Sequence, residues 1–154
     1  MAHYSYLSPD HSWVLVVEMG GDARWISRQL VSFSDGAARS VGPQSGSCVS
    51  AAWSPDGKWM YFNSDAGSKG YHIWRQAFPD GVPQQLTASL GEEEGIAMAP
   101  DGTSLVTSTA SRSCSTESSE NGQRKPVTIM SAIDYAPRSN RCCESVLRAV
   151  PTSG

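Results

Sequence analysis

The sequence predicts an all-β chain: about three tandem four-stranded antiparallel units, followed by an irregular C-terminal tail. Three observations lead to that class. A Pro-Asp turn recurs as Ser8-Pro9-Asp10, Ser54-Pro55-Asp56-Gly57 and Ala99-Pro100-Asp101-Gly102, with its prolines 46 and then 45 residues apart. Each copy is preceded by a short apolar run (Tyr4 to Leu7, Val49 to Trp53, Ile96 to Met98) and followed by another (Trp13 to Val17, Trp59 to Phe62, Leu105 to Val106). No amphipathic helical period occurs before residue 110. A repeat of about 40–45 residues is the length of one four-stranded blade of a β-propeller.

The turns follow from their composition. Proline presets φ at the first corner, aspartate bonds backbone two residues on, and glycine accepts the positive φ that closes the hairpin. The first copy carries His11 in the glycine position, so that turn is expected to be strained or of another type. In blade 1 the later strands are Gln29 to Phe33 and Ala38 to Val41, joined through Ser34-Asp35-Gly36. Blade 2 reads as Val49 to Trp53, Lys58 to Asn63, Tyr71 to Gln76 and Pro83 to Thr87, with a second turn at Pro79-Asp80-Gly81. These runs are short, rich in β-branched and aromatic residues, and bounded by Gly, Pro, Asp and Ser. Trp13, Trp53 and Trp59 flank the repeated turns and are assigned to the packing between blades.

Blade 2 also carries a family resemblance. The stretch from Ala52 through Trp53, the Pro-Asp-Gly turn and Lys58-Trp59-Met60-Tyr61-Phe62 continues into Asn63-Ser64-Asp65, His72-Ile73-Trp74-Arg75 and Gln85-Leu86-Thr87. It resembles the WD40-like repeat of TolB-type β-propellers, over roughly residues 4 to 110. Related repeats form the propellers of prolyl-oligopeptidase-family peptidases and the C-terminal propellers of some bacterial serine/threonine protein kinases. Glu92-Glu93-Glu94-Gly95-Ile96-Ala97-Met98 before the third turn is most similar to that last group. The resemblance implies a repeat protein that binds other proteins through loops on one face and around a central channel. It also implies a periplasmic location, although Met1 to Asp10 is already repeat sequence with no export signal.

Length bounds the architecture. Propellers close with about four to eight blades, and 154 residues hold little more than three repeats. The chain is therefore expected to be a fragment of a larger propeller, with blades at about 1–46, 47–91 and an incomplete 92–110. The runner-up is a short chain that closes by self-association, since open blade edges invite pairing. The spacing of blade 2 calls for a third strand of blade 3 near Ser119, yet residues 111–121 are almost wholly polar. Charge shifts as well: residues 1–110 hold 6 Lys/Arg against 11 Asp/Glu, and residues 111–154 hold 6 against 4. The expectation for 111–154 is an irregular or disordered tail, either a diverged segment keeping Val127 to Ile133 as a strand or out-of-frame sequence.

Chemistry-bearing motifs are sparse. Cys48 stands alone, and Cys114, Cys142 and Cys143 have no C-x-x-C metal spacing. The G-x-S-x-G nucleophile elbow, the kinase loops and the phosphate-binding G-x-x-x-x-G-K are absent from the sequence. Hence no catalytic residue, metal or cofactor is assigned, and a net charge of −3 without a basic face argues against nucleic acid. The candidate partner-binding loops comprise Asp65, Lys69, His72, Glu92, Glu93 and Glu94, the three glutamates being read as a solvated loop between blades.

Overall fold

A computed structural model describes residues 2–22, 24–67, 70–88, 91–111 and 144–152. Blade 1 comprises β1 (Ala2–Leu7), β2 (Trp13–Met19), β3 (Trp25–Ser32) and β4 (Ala38–Ser40). Blade 2 comprises β5 (Cys48–Trp53), β6 (Trp59–Ser64), β7 (His72–Ala77) and β8 (Gln84–Gln85). Blade 3 comprises β9 (Glu92–Met98), β10 (Ser104–Ser111) and β11 (Glu144–Pro151). Each sheet is an antiparallel meander in chain order. The registers repeat with the sequence: Leu7 lies opposite Val14, Trp53 opposite Met60 and Met98 opposite Leu105.

The three Pro-Asp turns share one hydrogen-bond plan. Ser8, Ser54 and Ala99 donate their amides to the carbonyls of Trp13, Trp59 and Ser104 at 2.8, 2.9 and 2.9 Å, and accept at theirs from His11, Gly57 and Gly102 at 2.9 Å each. His11 adopts φ 60° where Gly57 and Gly102 adopt 71°, so the first turn keeps the common geometry with a non-glycine residue in the left-handed region. Ser8 and Ser54 also donate their hydroxyls to Asp10 and Asp56 at 2.6 Å and accept from the amides of Trp13 and Trp59 at 2.9 Å. Ala99 has no hydroxyl for either role. In blade 3 only Asp101 serves the turn, accepting from the Thr103 amide at 3.0 Å.

Strand alternation sends each blade's two faces to different neighbours. Leu15, Val17 and Leu30 of blade 1 pack with Ala51, Trp53, Met60 and Phe62 of blade 2. Tyr61 and Ile73 on the other face of blade 2 pack with Leu105 and Val150 of blade 3. Phe78 is set edge-on to Trp13 and to Trp53 at ring separations of 5.7 and 5.3 Å. Trp53 donates its indole N–H to the Tyr6 carbonyl at 3.0 Å. Successive turns nest as well: a Cβ on Gly57 would sit 3.7 Å from Pro9, and one on Gly102 would sit 3.3 Å from Pro55.

Two expectations change. Residues 144–151 fall within the segment expected to be irregular, yet β11 pairs with β10 from Ser104–Pro151 to Ser111–Glu144. The third strand of blade 3 comes from later in the chain than the period of blade 2 suggests, which is why residues near Ser119 carry no strand pattern. Ser119 and Val127 to Ile133 lie outside the described residues. The glutamates are likewise not an inter-blade loop: Glu92, Glu93 and Glu94 form the first residues of β9, and the Glu93 amide donates to Tyr71 O at 2.9 Å.

Candidate functional site

The meander gives the blades two unlike ends. The turn end carries the Pro-Asp hairpins, and the connection end carries the β6–β7 loop and the links from each outer strand to the next inner one. Asp65, His72, Glu92, Glu93 and Glu94 all fall at the connection end, while Lys69 lies outside the described residues.

Within that end the residues divide by burial. Glu93 is 0% exposed and His72 is buried, so neither side chain can meet a partner. The Glu93 carboxylate accepts from the Thr87 hydroxyl, and its Oε2 stands 3.6 Å from His72 Nδ1. Thr87 Oγ1 accepts in turn from the Ile73 amide at 2.9 Å, and Asn63 donates its side-chain amide to the Glu93 carbonyl. Such a cross-blade network is what allows a carboxylate to leave water without prohibitive cost. Its role is to rivet β9 of blade 3 onto β6 and β7 of blade 2.

Asp65 is a capping group. Its carboxylate accepts from the Ser47 amide at 2.6 Å, tying the β6–β7 loop to the blade 1–2 connection. Gly46 packs so close that an added Cβ would meet Asp65 Oδ1 at 2.5 Å and the Ala66 amide nitrogen at 2.7 Å, and its φ is 79°. Arg28 reaches the same connection from blade 1, donating to Val41 O at 2.9 Å and Gly46 O at 3.1 Å. Burial holds its guanidinium below the ordinary arginine value. Burial also pushes the nearby Cys48 thiol up to about 11, against the opposing pull of Arg28, so the thiol stays protonated and poorly nucleophilic. Where blades 2 and 3 meet, this rim carries Glu94, which is exposed, and the half-buried Glu92 and Asp65, and the β2–β3 loop at the same end of blade 1 carries the exposed ion pair of Arg24 with Asp22 at 3.5 Å.

A recess of about 540 Å³ opens between blades 2 and 3 at the turn end, lined by Asp56, Trp59, Tyr61, Arg75, Asp101 and Thr152 among others. Arg75 lies 4.6 Å over the Trp59 ring and donates to Thr152 O at 2.7 Å. Hydrogen bonds from Ser54 and the Lys58 amide lower the Asp56 carboxyl, and the Thr103 amide lowers that of Asp101. These groups are therefore engaged in holding the turns and the blade contact. Among the described residues no group of three or more His, Cys, Asp or Glu is arranged to hold a metal, and no helix is long and apolar enough to cross a membrane.

The sequence placed Asn63 and Thr87 only among the repeat residues, without a site role, and did not single out Arg28. The available signal for Asn63 was a polar residue inside an otherwise apolar strand. For Thr87 and Arg28 there was none, because their partners are distant in sequence.

No protein-family model and no curated protein matches the chain. Solved structures do match it. A protein described as TolB from Agrobacterium tumefaciens superposes with a TM-score of 0.62 at 21% identity, covering 71% of this chain and 38% of that one. TolB from Acinetobacter baumannii gives 0.58 at 22%, covering 69% and 28%. The Pyrococcus horikoshii acylaminoacyl peptidase gives 0.55 at 12%, covering 80% and 19%. The chain thus has the fold of a TolB-like propeller in part, spanning well under half the length of each of these proteins.

Proposed function

We propose that this chain is a non-catalytic propeller segment that binds a protein partner at its connection end. The observation that carries the reading is the division of labour there. Glu93, His72, Thr87 and Arg28 are locked in contacts between and beneath the blades, and the exposed Glu94, with the half-buried Glu92 and with Asp65 held by the Ser47 amide, gives the braced rim of blades 2 and 3 its acidic character. Rigid strand ends that present charge suit recognition, since little ordering cost accompanies binding. The chemistry complementary to this rim is a basic, extended peptide segment. Lys69 stays a proposed contact of the same loop. The test is fluorescence anisotropy with a labelled Lys/Arg-rich peptide against two double variants, Glu92→Lys with Glu94→Lys at the connection end and Asp80→Lys with Asp101→Lys at the turn end. The reading expects at least a tenfold loss from the first pair and little change from the second. Equal losses from both pairs would mean only non-specific attraction to an acidic protein.

A second reading draws on the likeness to the acylaminoacyl peptidase: the segment belongs to a regulatory propeller attached to a peptidase or, as the third repeat suggests by resemblance, to a bacterial serine/threonine protein kinase. Sequencing the genomic region on both sides in all frames tests it, and finding neither catalytic domain there would remove it.

A further inference from the structure

The turn ends of the two blade contacts can be compared residue by residue, because the repeat puts them in register. Leu15 lies opposite Leu30 in blade 1 as Tyr61 lies opposite Arg75 in blade 2. The correspondence extends to the turn after the third strand, where Phe33, Phe78 and Thr152 donate their amides to Ser12 O, Lys58 O and Thr103 O at 3.0, 2.8 and 3.1 Å. Thr152 therefore stands where the other two blades carry phenylalanine.

Between blades 1 and 2 this end is closed. Leu15 and Leu30 are buried, Phe78 is wedged against Trp13 and Trp53, and Arg39 of blade 1 donates to the Asp80 carboxylate and, at 3.0 Å, to Pro79 O. Between blades 2 and 3 the residues in the places of Leu15, Leu30 and Phe78 are Tyr61, Arg75 and Thr152. Three apolar groups have become polar together, and the ring that fills the first gap is a small side chain in the second. The recess of about 540 Å³ is the result. Along the sequence Ser153 and Gly154 follow Thr152 as Pro79 and Asp80 follow Phe78, so neither brings a bulky group to close it.

Arginine in the place of leucine gives up apolar contact and takes a charge out of water. Arg75 answers little of that cost within the protein: among the described residues its one hydrogen bond runs from Nη1 to Thr152 O at 2.7 Å, and its Nε is buried without a partner. A guanidinium in that state calls for an acceptor, and a carboxylate is the group that its donors fit best. The Trp59 ring, 4.6 Å away, holds the guanidinium in place. At the rim of the same recess lie the exposed carboxylates of Asp56 and Asp101. Their turn hydrogen bonds use Oδ1 of each, and Lys58 stands 3.6 Å from Oδ2 of Asp56, which leaves Asp101 as the less compensated of the two. A simple anion would meet these carboxylates, and a simple cation would meet Arg75. We propose that the recess binds a small zwitterion, a free amino acid or dipeptide, with its carboxylate on Arg75 and its ammonium group toward Asp101. The volume lies within the ordinary range of small-ligand pockets, about 300–1,000 Å³. The site is at the turn end, so it does not depend on the partner-binding reading, which concerns the connection end.

Isothermal titration calorimetry of the 154-residue chain with alanyl-leucine tests the inference. Saturable binding to a single site is expected, with at least a tenfold loss when the dipeptide is N-acetylated or its carboxylate is amidated. Thr152→Phe gives blade 3 the residue of the other two blades, and Arg75→Leu gives blade 2 the residue of blade 1. Each is expected to weaken binding at least tenfold, and Thr152→Phe to leave the melting temperature unchanged or higher. Should Arg75→Leu lose its cooperative melt, Thr152→Phe and Asp101→Asn carry the test, the second keeping an acceptor for the Thr103 amide. No saturable binding up to millimolar dipeptide, tighter binding of inorganic phosphate than of the dipeptide, blocked forms bound as well as the free one, or binding untouched by Thr152→Phe would each overturn the proposal.

Discussion

The second strands of blades 1 and 2 invert the usual relation between hydrophobicity and burial. β2 begins Trp-Val-Leu-Val-Val and buries only Leu15 and Val17 fully, while β6 reads Trp-Met-Tyr-Phe-Asn-Ser and buries everything after Trp59. A run that is apolar on both faces is the mark of a strand covered on both sides. β6 has that cover, with blade 1 against Met60 and Phe62 and blade 3 against Tyr61. β2 has it on one side. In a repeat protein burial is a property of neighbours as much as of the strand, so stability is close to a sum of blade and interface terms.

The largest expected difference between the blades lies at corresponding positions. Trp53→Ala removes a ring wedged against Phe78 and a hydrogen bond to Tyr6, and is expected to cost about 3–5 kcal/mol. Leu7→Ala, at the matching place in blade 1, should cost well under half of that. Chemical denaturation of the two variants checks this, and equal midpoints would break the comparison.

Next is the blade 2–3 rivet. Glu93→Ala leaves the buried Thr87 hydroxyl without its acceptor and His72 without the neighbouring carboxylate, while Asn63 keeps the Glu93 main-chain carbonyl, and should cost about 1–3 kcal/mol, whereas Glu94→Ala should stay within about 0.5 kcal/mol. Similar losses from the two would return Glu93 to the surface.

The turns offer a smaller, reciprocal test. Ser54→Ala deletes the hydroxyl that bridges Asp56 and the Trp59 amide, at a cost of about 1 kcal/mol, and Ala99→Ser should install the missing bridge in blade 3 with a gain of similar size. Thermal melts that move in the same direction for both variants would show that the turns are not equivalent.

A pH dependence follows from the same groups. Hydrogen bonds from serine hydroxyls and backbone amides lower the carboxyls of Asp10 and Asp56 from 3.8, and those from the Thr103 amide and side chain lower that of Asp101. A folded value below the unfolded one favours the folded state above about pH 4, a contribution lost as pH falls through the folded value. The melting temperature should therefore drop below pH 4, and less steeply in Ser54→Ala. An unchanged slope in that variant would detach the turn hydrogen bonds from acid stability.

Most of the fold was legible because the repeat prints it locally. The Pro-Asp turns, the strands beside them and the three-blade order follow from a period and from turn chemistry within a few residues. The connection end was less legible. Glu92, Glu93 and Glu94 read as solvated loop because three adjacent carboxylates suit water, and only the meeting with Thr87, Asn63 and His72 of the neighbouring blade turns the middle one inward. β11 was missed for another reason: its partner Leu105 lies opposite Val150, a sequence separation that no local pattern encodes. His11 shows the opposite case, a sequence departure that the turn absorbs without change of geometry.

The central claim is that each described blade continues the same antiparallel meander, blade 3 included, and hydrogen exchange followed by mass spectrometry addresses it most directly. Backbone pairing predicts slow amides along Met60–Asn63, along Leu105–Thr109 and, with them, along Val146–Val150, where β11 bonds to β10. Protection of β10 and β11 together would confirm a third blade built like the others. Val146–Val150 exchanging at the rate of an unfolded chain while Met60–Asn63 stays protected would contradict it.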